Sequence, residues 1–205
     1  MHLTIASDYI CPWCYIGMAR ADRLQREFEL DVTWHPYELH PEFPPEGIDR
    51  AQRPPRPEGY VSRLRSLMDE AGLPFQPSQH VPNSHRALEA SEFARERGAF
   101  ELYHRALFDA YFGRGRDIGD IAVLKDLGSE AGLDANELGE AIESGAYAAL
   151  IDQRTEQARM RGASGTPTFI FEKDGFELPI VGAQEYALFQ NVAQRMGARP
   201  LAEIS

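Results

Sequence analysis

The two cysteines of this 205-residue chain, Cys11 and Cys14, are separated only by Pro12 and Trp13. A Cys-x-x-Cys pair beside a strand-helix pattern is typical of thiol-disulfide redox chemistry. Pro12 suits the first position of a helix, where its missing N–H is not needed. The free amides and positive dipole at that helix end favour a thiolate at Cys11 and lower its pKa. The pattern therefore predicts Cys11 as nucleophile and Cys14 as the thiol that resolves a mixed disulfide.

Two other interpretations of the cysteine pair stay open. A structural zinc site needs about four nitrogen or sulfur ligands. The chain has no further cysteine, and the closely spaced His80 and His85 match no familiar ligand pairing, so we expect no metal site. Two buried cysteines could also act as small hydrophobic residues, although this spacing would then be a coincidence. Redox chemistry is the preferred interpretation.

A strand and a helix are predicted around the pair. Residues 2–7 are apolar and β-branched, which favours a strand. Apolar residues then recur at helical spacing over 17–28, so Cys11 falls at the strand-to-helix junction. Apolar and polar residues alternate over 30–36, which predicts a second strand.

The middle of the chain is predicted to be helical. Residues 41–57 contain six prolines and are expected to form an ordered loop. Glycines that are plausible helix stops follow several periodic segments. The predicted helices cover 60–71, 84–97, 100–112, 120–131, a segment capped by Asp134, and about 147–161.

Strand signals return near the carboxyl end of the chain. Residues 168–171 and 178–181 flank Asp174-Gly175, a typical hairpin turn, and a helix is expected over 184–196. The element order predicts an α/β chain with a thioredoxin-like fold and an inserted all-helical domain. We expect residues 1–57 and 163–205 to form a discontinuous thioredoxin-like domain, and residues 58–162 to form the insertion.

Charge and hydropathy exclude some partners. The net charge of -11 and the pI near 5.0 argue against nucleic acid or an anionic membrane as partner. No apolar run reaches the ~18 residues of a membrane span, and the first residues lack the pattern of a signal peptide. A cytoplasmic protein is therefore expected, in which a lone cysteine pair is more often catalytic than structural. The sequence leaves the oligomeric state open.

A proline loop forms the second half of the predicted site. Gly165-Thr166-Pro167 directly precedes the third predicted strand and resembles the cis-proline loop that faces the cysteine pair in thioredoxin-like folds. A cis bond at Thr166-Pro167 would turn the Thr166 backbone toward Cys11, where it could pair with an extended substrate. The alternative is a trans proline that begins an edge strand.

Three motifs together point to a family. The segment around Cys11-Pro12-Trp13-Cys14, the run 83–87 (Asn-Ser-His-Arg-Ala) and Gly165-Thr166-Pro167-Thr168-Phe169 resemble the FrnE-like branch of the DsbA family. The resemblance implies a thiol/disulfide oxidoreductase or isomerase that acts on protein, peptide or small-molecule disulfides, with Pro12, Trp13, Thr166 and Pro167 supporting the two cysteines and no tightly bound cofactor.

Asn83, His85 and Trp13 have two interpretations each. The resemblance places Asn83 and His85 on an insertion helix that overhangs the site and faces substrate, but both also suit the start of a helix. Trp13 is either an apolar platform for a peptide or part of ordinary packing. If only the Trp13 surface mattered, the chain would be a binding module without catalysis.

A related branch supplies an alternative function. The 2-hydroxychromene-2-carboxylate isomerases and kappa-class glutathione transferases resemble this chain in architecture, but usually carry serine at the position of Cys11 and bind glutathione. The alternative is therefore a glutathione-dependent isomerase or transferase. In the preferred interpretation glutathione remains a candidate reductant or ligand that pairs with Cys11.

Overall fold

The cysteine pair follows an inner strand of a four-stranded sheet. The structure, a computed structural model, describes residues 1–201. Its strands are β1 (His2–Ser7), β2 (Asp31–Pro36), β3 (Ile48–Asp49), β4 (His80–Val81), β5 (Thr168–Lys173) and β6 (Phe176–Val181). The sheet order is β2-β1-β5-β6, with β1 parallel to β2 and antiparallel to β5, and with β6 antiparallel to β5. All residues of β1 after His2 are buried, which explains its nearly continuous apolar sequence.

Helices make up most of the remaining described chain. They are α1 (Pro12–Glu27), α2 (Tyr60–Glu70), α3 (His85–Glu96), α4 (Phe100–Phe108), α5 (Ile121–Glu130), α6 (Ala135–Glu143), α7 (Ala148–Met160) and α8 (Tyr186–Arg195). Aromatic packing joins α8 to the sheet: the Phe189 ring lies 4.3 Å from that of Phe169 and 6.4 Å from that of Phe171, centroid to centroid. The three phenylalanines are fully buried and form part of the core beside the sheet.

The structure confirms the predicted elements with two local differences. The proline-rich segment contains β3, which pairs antiparallel with β4, and a short 3-10 turn at Arg50–Gln52. The helix expected over 100–112 is α-helical only to Phe108 and continues as a π-helical turn over Asp109–Gly113. Asp134 caps α6 as expected, because its carboxylate accepts hydrogen bonds from the amides of Asn136 and Glu137.

The chain divides into two compact units. One contains residues 1–37 and the chain from residue 154 onward, and the other contains residues 38–153. These limits differ from the predicted boundaries at 57 and 163, and residues 202–205 of the predicted first domain lie outside the described residues. Residues 38–57 belong with the helices because β3 pairs with β4. The last turns of α7 belong with the sheet. Just after this helix, Arg161 donates a hydrogen bond to the Thr4 hydroxyl and forms an ion pair with Glu172.

Candidate active site

The local sequence places Cys11 at the start of α1. The helix begins at Pro12, and Cys11 before it has extended backbone angles, φ −91° and ψ 113°. The Cys11 amide donates a hydrogen bond to the Asp8 carbonyl at 3.2 Å, and the Cys14 amide donates one to the Cys11 carbonyl at 3.0 Å. These bonds close the turn after β1 and hold both cysteines at the positive end of the helix dipole. The position of Pro12 at the first helical residue confirms the prediction.

The two thiols are free and have opposite pKa shifts. Cys14 is fully buried, and burial raises the pKa of its thiol well above the usual range. Cys11 is 5% exposed, and a hydrogen bond from the Cys14 thiol lowers its pKa in spite of burial and of the nearby Asp8 charge. These opposite shifts favour ionisation of Cys11 before Cys14, which is the order that thiol-disulfide exchange needs.

Thr166 lies directly against the Cys11 sulfur. The Thr166-Pro167 peptide bond is cis, as predicted, and the Cys11 Sγ lies 3.4 Å from the Thr166 carbonyl oxygen. The Thr166 hydroxyl is buried without a hydrogen-bond partner among the described residues. The lowered pKa of Cys11 comes chiefly from the Cys14 thiol. The proline loop thus presents one backbone oxygen to the predicted nucleophile.

A glycine in α1 lets the proline loop approach the helix. A Cβ atom at Gly17 would lie 3.2 Å from the Pro167 Cγ atom and 3.4 Å from the Phe169 ring. Gly17 and Pro167 are both buried. The absence of a side chain at Gly17 therefore sets how closely the loop and its Thr166 carbonyl approach α1. Gly17 was predicted as a residue of the helix and of the cysteine motif, and not as a packing contact, although a small residue three positions after a redox cysteine is a sequence signal for such close packing.

Ser7 and Asp8 complete the surroundings of the cysteine pair. The Ser7 hydroxyl is buried and has no hydrogen-bond partner within residues 1–201, yet a hydrogen bond from it to the Cys14 sulfur would lower the raised pKa of that thiol. Asp8 is fully buried, and its carboxylate accepts a hydrogen bond from the Ile10 amide at 3.2 Å. Ser7 was not predicted as a site residue, because its only signal is a polar residue at the end of an apolar strand.

The remaining predicted site residues lie in other surroundings. Trp13 is partly exposed at the helix start. Asn83 is in the helical unit, where its amide nitrogen donates to the Phe43 carbonyl and its oxygen accepts from the His85 amide, both at 2.8 Å. These bonds fix the first turn of α3, which agrees with the structural interpretation of Asn83. A role for Asn83 and His85 toward substrate stays a prediction.

The described residues contain neither a metal cluster nor a membrane span. Within residues 1–201, no group of three or more histidine, cysteine or acidic side chains could hold a metal ion. No helix in this part of the chain has both the length and the apolar character to cross a bilayer.

The comparison with protein families decides the identity of the fold. Residues 2–194 match the family described as DSBA-like thioredoxin domain. The chain belongs to the DsbA-like thioredoxin family. This membership confirms the predicted thioredoxin-like fold and the resemblance to the DsbA family. Together with the similar oxidoreductase structure, it supports the prediction that the protein is an enzyme. The FrnE-like branch within the DsbA-like family stays a prediction.

Individual relatives of this DsbA-like chain agree with the assignment. It is 29% identical over 173 residues to the uncharacterized protein YwbO of Bacillus subtilis. The aligned region covers 83% of this chain and 86% of YwbO. A crystal structure of a probable DsbA oxidoreductase from Streptomyces coelicolor is 26% identical, with a TM-score of 0.86 and coverage of 100% of this chain and 94% of that one.

Two more distant structures share the fold. A 2-hydroxychromene-2-carboxylate isomerase is 18% identical with a TM-score of 0.76, and 96% of each chain is covered. The cytosolic disulfide reductase DsbM from Pseudomonas aeruginosa is 21% identical with a TM-score of 0.71, with coverage of 96% of this chain and 100% of DsbM. DsbM has also been solved with glutathione. Both predicted relatives, the redox branch and the isomerase branch, therefore occur among the structural neighbours of this DsbA-like chain.

Proposed function

We propose that this protein is a dithiol-disulfide oxidoreductase or isomerase, with Cys11 as nucleophile and Cys14 as resolving thiol. The observation that carries the proposal is the asymmetry of the pair. The pKa of Cys11 is lowered and that of Cys14 is raised, at a helix start that faces the Thr166 carbonyl. A structural disulfide or a buried apolar pair has no need of such a difference.

The exchange proceeds in two displacements. The Cys11 thiolate attacks one sulfur of a substrate disulfide, which breaks that bond, forms a mixed disulfide with Cys11 and releases one substrate thiolate to take a proton. Cys14 then loses its proton and attacks the Cys11 sulfur, so that the second substrate thiol leaves and a Cys11–Cys14 disulfide forms. Two electrons pass to the substrate, and an external thiol such as glutathione restores the dithiol. The reverse sequence oxidises a dithiol substrate.

The surroundings of Cys14 support this order of steps. Its high pKa suppresses premature attack, because only the thiolate is a good nucleophile. Once Cys11 is in a mixed disulfide, its negative charge is gone and no longer opposes ionisation of Cys14. Isomerisation would follow when a substrate thiolate attacks the mixed disulfide before Cys14 does.

The proposed substrates are protein or peptide disulfides, or a glutathione mixed disulfide. An extended segment next to the substrate cysteine could pair with the backbone at Thr166, as strands pair at a sheet edge. We propose that the protein acts in the cytoplasm and holds no tightly bound cofactor. The reducing thiol pool there keeps both cysteines reduced, and the structurally similar DsbM is a cytosolic reductase.

The test compares single cysteine variants on one substrate, a fluorescent peptide joined to glutathione through a disulfide. Cys11→Ser should abolish its reduction, whereas Cys14→Ser should accumulate a mixed disulfide that mass spectrometry detects at Cys11. Ser129→Ala, an exposed change on α5, serves as the control and should keep full activity. Full activity of Cys11→Ser would overturn the proposal.

A glutathione-dependent isomerase or transferase is the second candidate function. The shared fold with 2-hydroxychromene-2-carboxylate isomerase and the Thr166 carbonyl beside the Cys11 sulfur favour it, because glutathione could present its cysteine to that carbonyl. This function requires one residue of the pair and added glutathione. Activity on a small aromatic substrate that survives Cys14→Ser and stops without glutathione would favour it over disulfide exchange.

A further inference from the structure

The resolving cysteine of the proposed exchange is buried where a negative charge is unfavourable. Cys14 is fully buried in the first turn of α1, and burial raises the pKa of its thiol well above the usual range. In the second displacement, however, its sulfur must attack the Cys11 sulfur, and the thiolate is the nucleophile in that reaction. A hydrogen-bond donor beside Cys14 would therefore lower the barrier of this step.

The hydroxyl of Ser7 is buried without a partner in the reduced protein. Ser7 is 6% exposed, and its Oγ atom has no hydrogen-bond partner within residues 1–201. The similarly buried Ser91 shows the usual arrangement, since its hydroxyl donates to the Leu88 carbonyl at 2.8 Å. Buried polar groups in native proteins are nearly always paired, and a catalytic or redox role is one reason for an exception. The Ser7 hydroxyl is therefore a candidate for the donor that Cys14 requires.

The geometry of β1 and α1 brings this hydroxyl to Cys14. Side chains alternate along a strand, so Ser7 lies on the same face of β1 as Ile5, whose antiparallel partner is Phe169. The helix packs on this face, because a Cβ atom at Gly17 would lie 3.4 Å from the Phe169 ring. Cys14 precedes Gly17 by about one helical turn and shares its side of α1. Ser7 and Cys14 therefore meet at the active-site end of the contact between β1 and α1.

Two donors from consecutive residues act on the Cys14 sulfur. Burial raises the pKa of Cys14, whereas hydrogen bonds from the Ser7 hydroxyl and from the Asp8 backbone to its ionised sulfur lower that pKa. A hydroxyl rotates about its C–O bond, so that of Ser7 can turn toward the sulfur when the negative charge develops. Both donors belong to the end of β1 and are held in place by the fold before the charge appears.

We propose that the Ser7 hydroxyl and the Asp8 amide together form a cradle for the Cys14 thiolate in the second displacement. This inference rests on the proposed exchange. In that step Cys14 loses its proton, its sulfur bonds to the Cys11 sulfur, and the bond between Cys11 and the substrate sulfur breaks. The electron pair of the broken bond leaves with the substrate sulfur, which takes up one proton in place of the one that Cys14 released. Ser7 keeps its own proton, and no further oxidant or reductant takes part.

Ellman's reagent separates the two displacements on the full chain. Attack by Cys11 releases one coloured thiolate, and attack by Cys14 on the resulting mixed disulfide releases a second, so stopped-flow absorbance gives both rates. Ser7→Ala should leave the first rate unchanged and slow the second about tenfold, because it removes a hydrogen bond to a charged group. Ser7→Thr and Ser7→Val have the same shape, but only threonine keeps the donor. The second rate should therefore be about tenfold faster in Ser7→Thr than in Ser7→Val.

The pH dependence of the second rate distinguishes a donor from a packing residue. That rate rises with pH as Cys14 ionises, and Ser7→Ala should shift the rise upward by about one pH unit. Ser91→Ala is the control, since it removes a buried hydroxyl outside the site and should change neither rate. Urea denaturation should show a loss of unfolding free energy in Ser91→Ala and none in Ser7→Ala, whose hydroxyl has no partner to lose.

The outcomes separate this proposal from the proposed function. If the natural chain gives no first release, Cys11 is not the nucleophile and the proposed exchange fails together with the cradle. If both releases occur and Ser7→Ala leaves the second rate and its pH dependence unchanged, the cradle alone is refuted. Equal second rates in Ser7→Thr and Ser7→Val would also refute it. If these two larger side chains prevent folding, Ser7→Ala decides.

Discussion

The Cys11 sulfur lies 3.4 Å from the carbonyl oxygen of Thr166, a residue 155 positions away in the chain. This contact joins the helix start to the loop before β5, and Gly17 allows the approach because it has no side chain between α1 and Pro167. A substrate sulfur bound to Cys11 would therefore lie beside a backbone acceptor. For the proposed peptide substrates, affinity would come mainly from main-chain hydrogen bonds and would depend little on the peptide's side chains.

The opposite pKa shifts predict selective alkylation of Cys11. With limiting iodoacetamide, Cys11 should be modified first and Cys14 should stay unmodified, because only the first has a lowered pKa and Cys14 is fully buried. The rate should rise with pH to a midpoint below about 8.5, the value of an ordinary cysteine. Peptide mapping by mass spectrometry across a pH series measures both. Equal labelling of the two cysteines would contradict the predicted division of roles.

Removing the Cys14 thiol should raise the pKa of Cys11. The Cys14 hydrogen bond is the largest cause of the lowered value, so Cys14→Ala removes a donor that favours the Cys11 thiolate. Cys14→Ser is the matched variant, because its hydroxyl still donates, and it should raise the pKa less. The pH dependence of thiolate absorbance gives the pKa of Cys11 in the natural chain and in both variants. An unchanged midpoint in Cys14→Ala would instead assign the lowering to the helix end.

Filling the space at Gly17 should separate the proline loop from α1. Gly17→Val is expected to cost about 1–3 kcal/mol of unfolding free energy, as overpacking does, and to reduce disulfide exchange because Thr166 moves from Cys11. Gly139→Val in α6 is the control, since its Cβ would meet the Lys125 Cδ atom, also at 3.2 Å, and that side chain can move. Urea denaturation and exchange rates are measured together. Equal stability losses in the two variants would refute a special constraint at Pro167.

His104 should make the protein sensitive to acid. Its ring is 2% exposed and lies against the rings of Phe100 and Phe108, and burial lowers its pKa well below the usual value. The unfolded chain therefore binds a proton near pH 6.5 that the folded chain excludes. The contribution of the neutral His104 ring to the unfolding free energy is fully present above that pH. It falls as the pH drops toward the folded-state pKa, by at most about 1.4 kcal/mol per pH unit.

Two measurements check the acid sensitivity. The unfolding free energy, measured by urea denaturation between pH 5 and pH 8, should change less with pH for His104→Leu than for the natural chain. Proton NMR of the folded protein should show no titration of the His104 ring near pH 6.5. A ring that titrates there would contradict the lowered pKa, whatever the stability of the variant.

The local sequence was sufficient for the elements around the redox pair. The apolar run of β1, Pro12 at the start of α1 and the Asp134 cap were predicted because each depends on residues within one turn or one strand. The extra β3–β4 pair was not predicted. Its four residues are too few for a periodic pattern, and their pairing depends on a partner about 30 positions away.

By itself the sequence determined that any thiol chemistry of this protein rests on one pair, since its only two thiols are one helical turn apart at a helix start. The helix start also predicted which cysteine has the lower pKa, but only the tertiary structure supplied two of the causes: burial raises the pKa of Cys14, and the Cys14 thiol donates to Cys11. Burial and contacts between distant residues are products of packing. The same reason applies in the helical unit, where the Glu38 carboxylate meets His85 across 47 positions. No local pattern in the chain records that meeting.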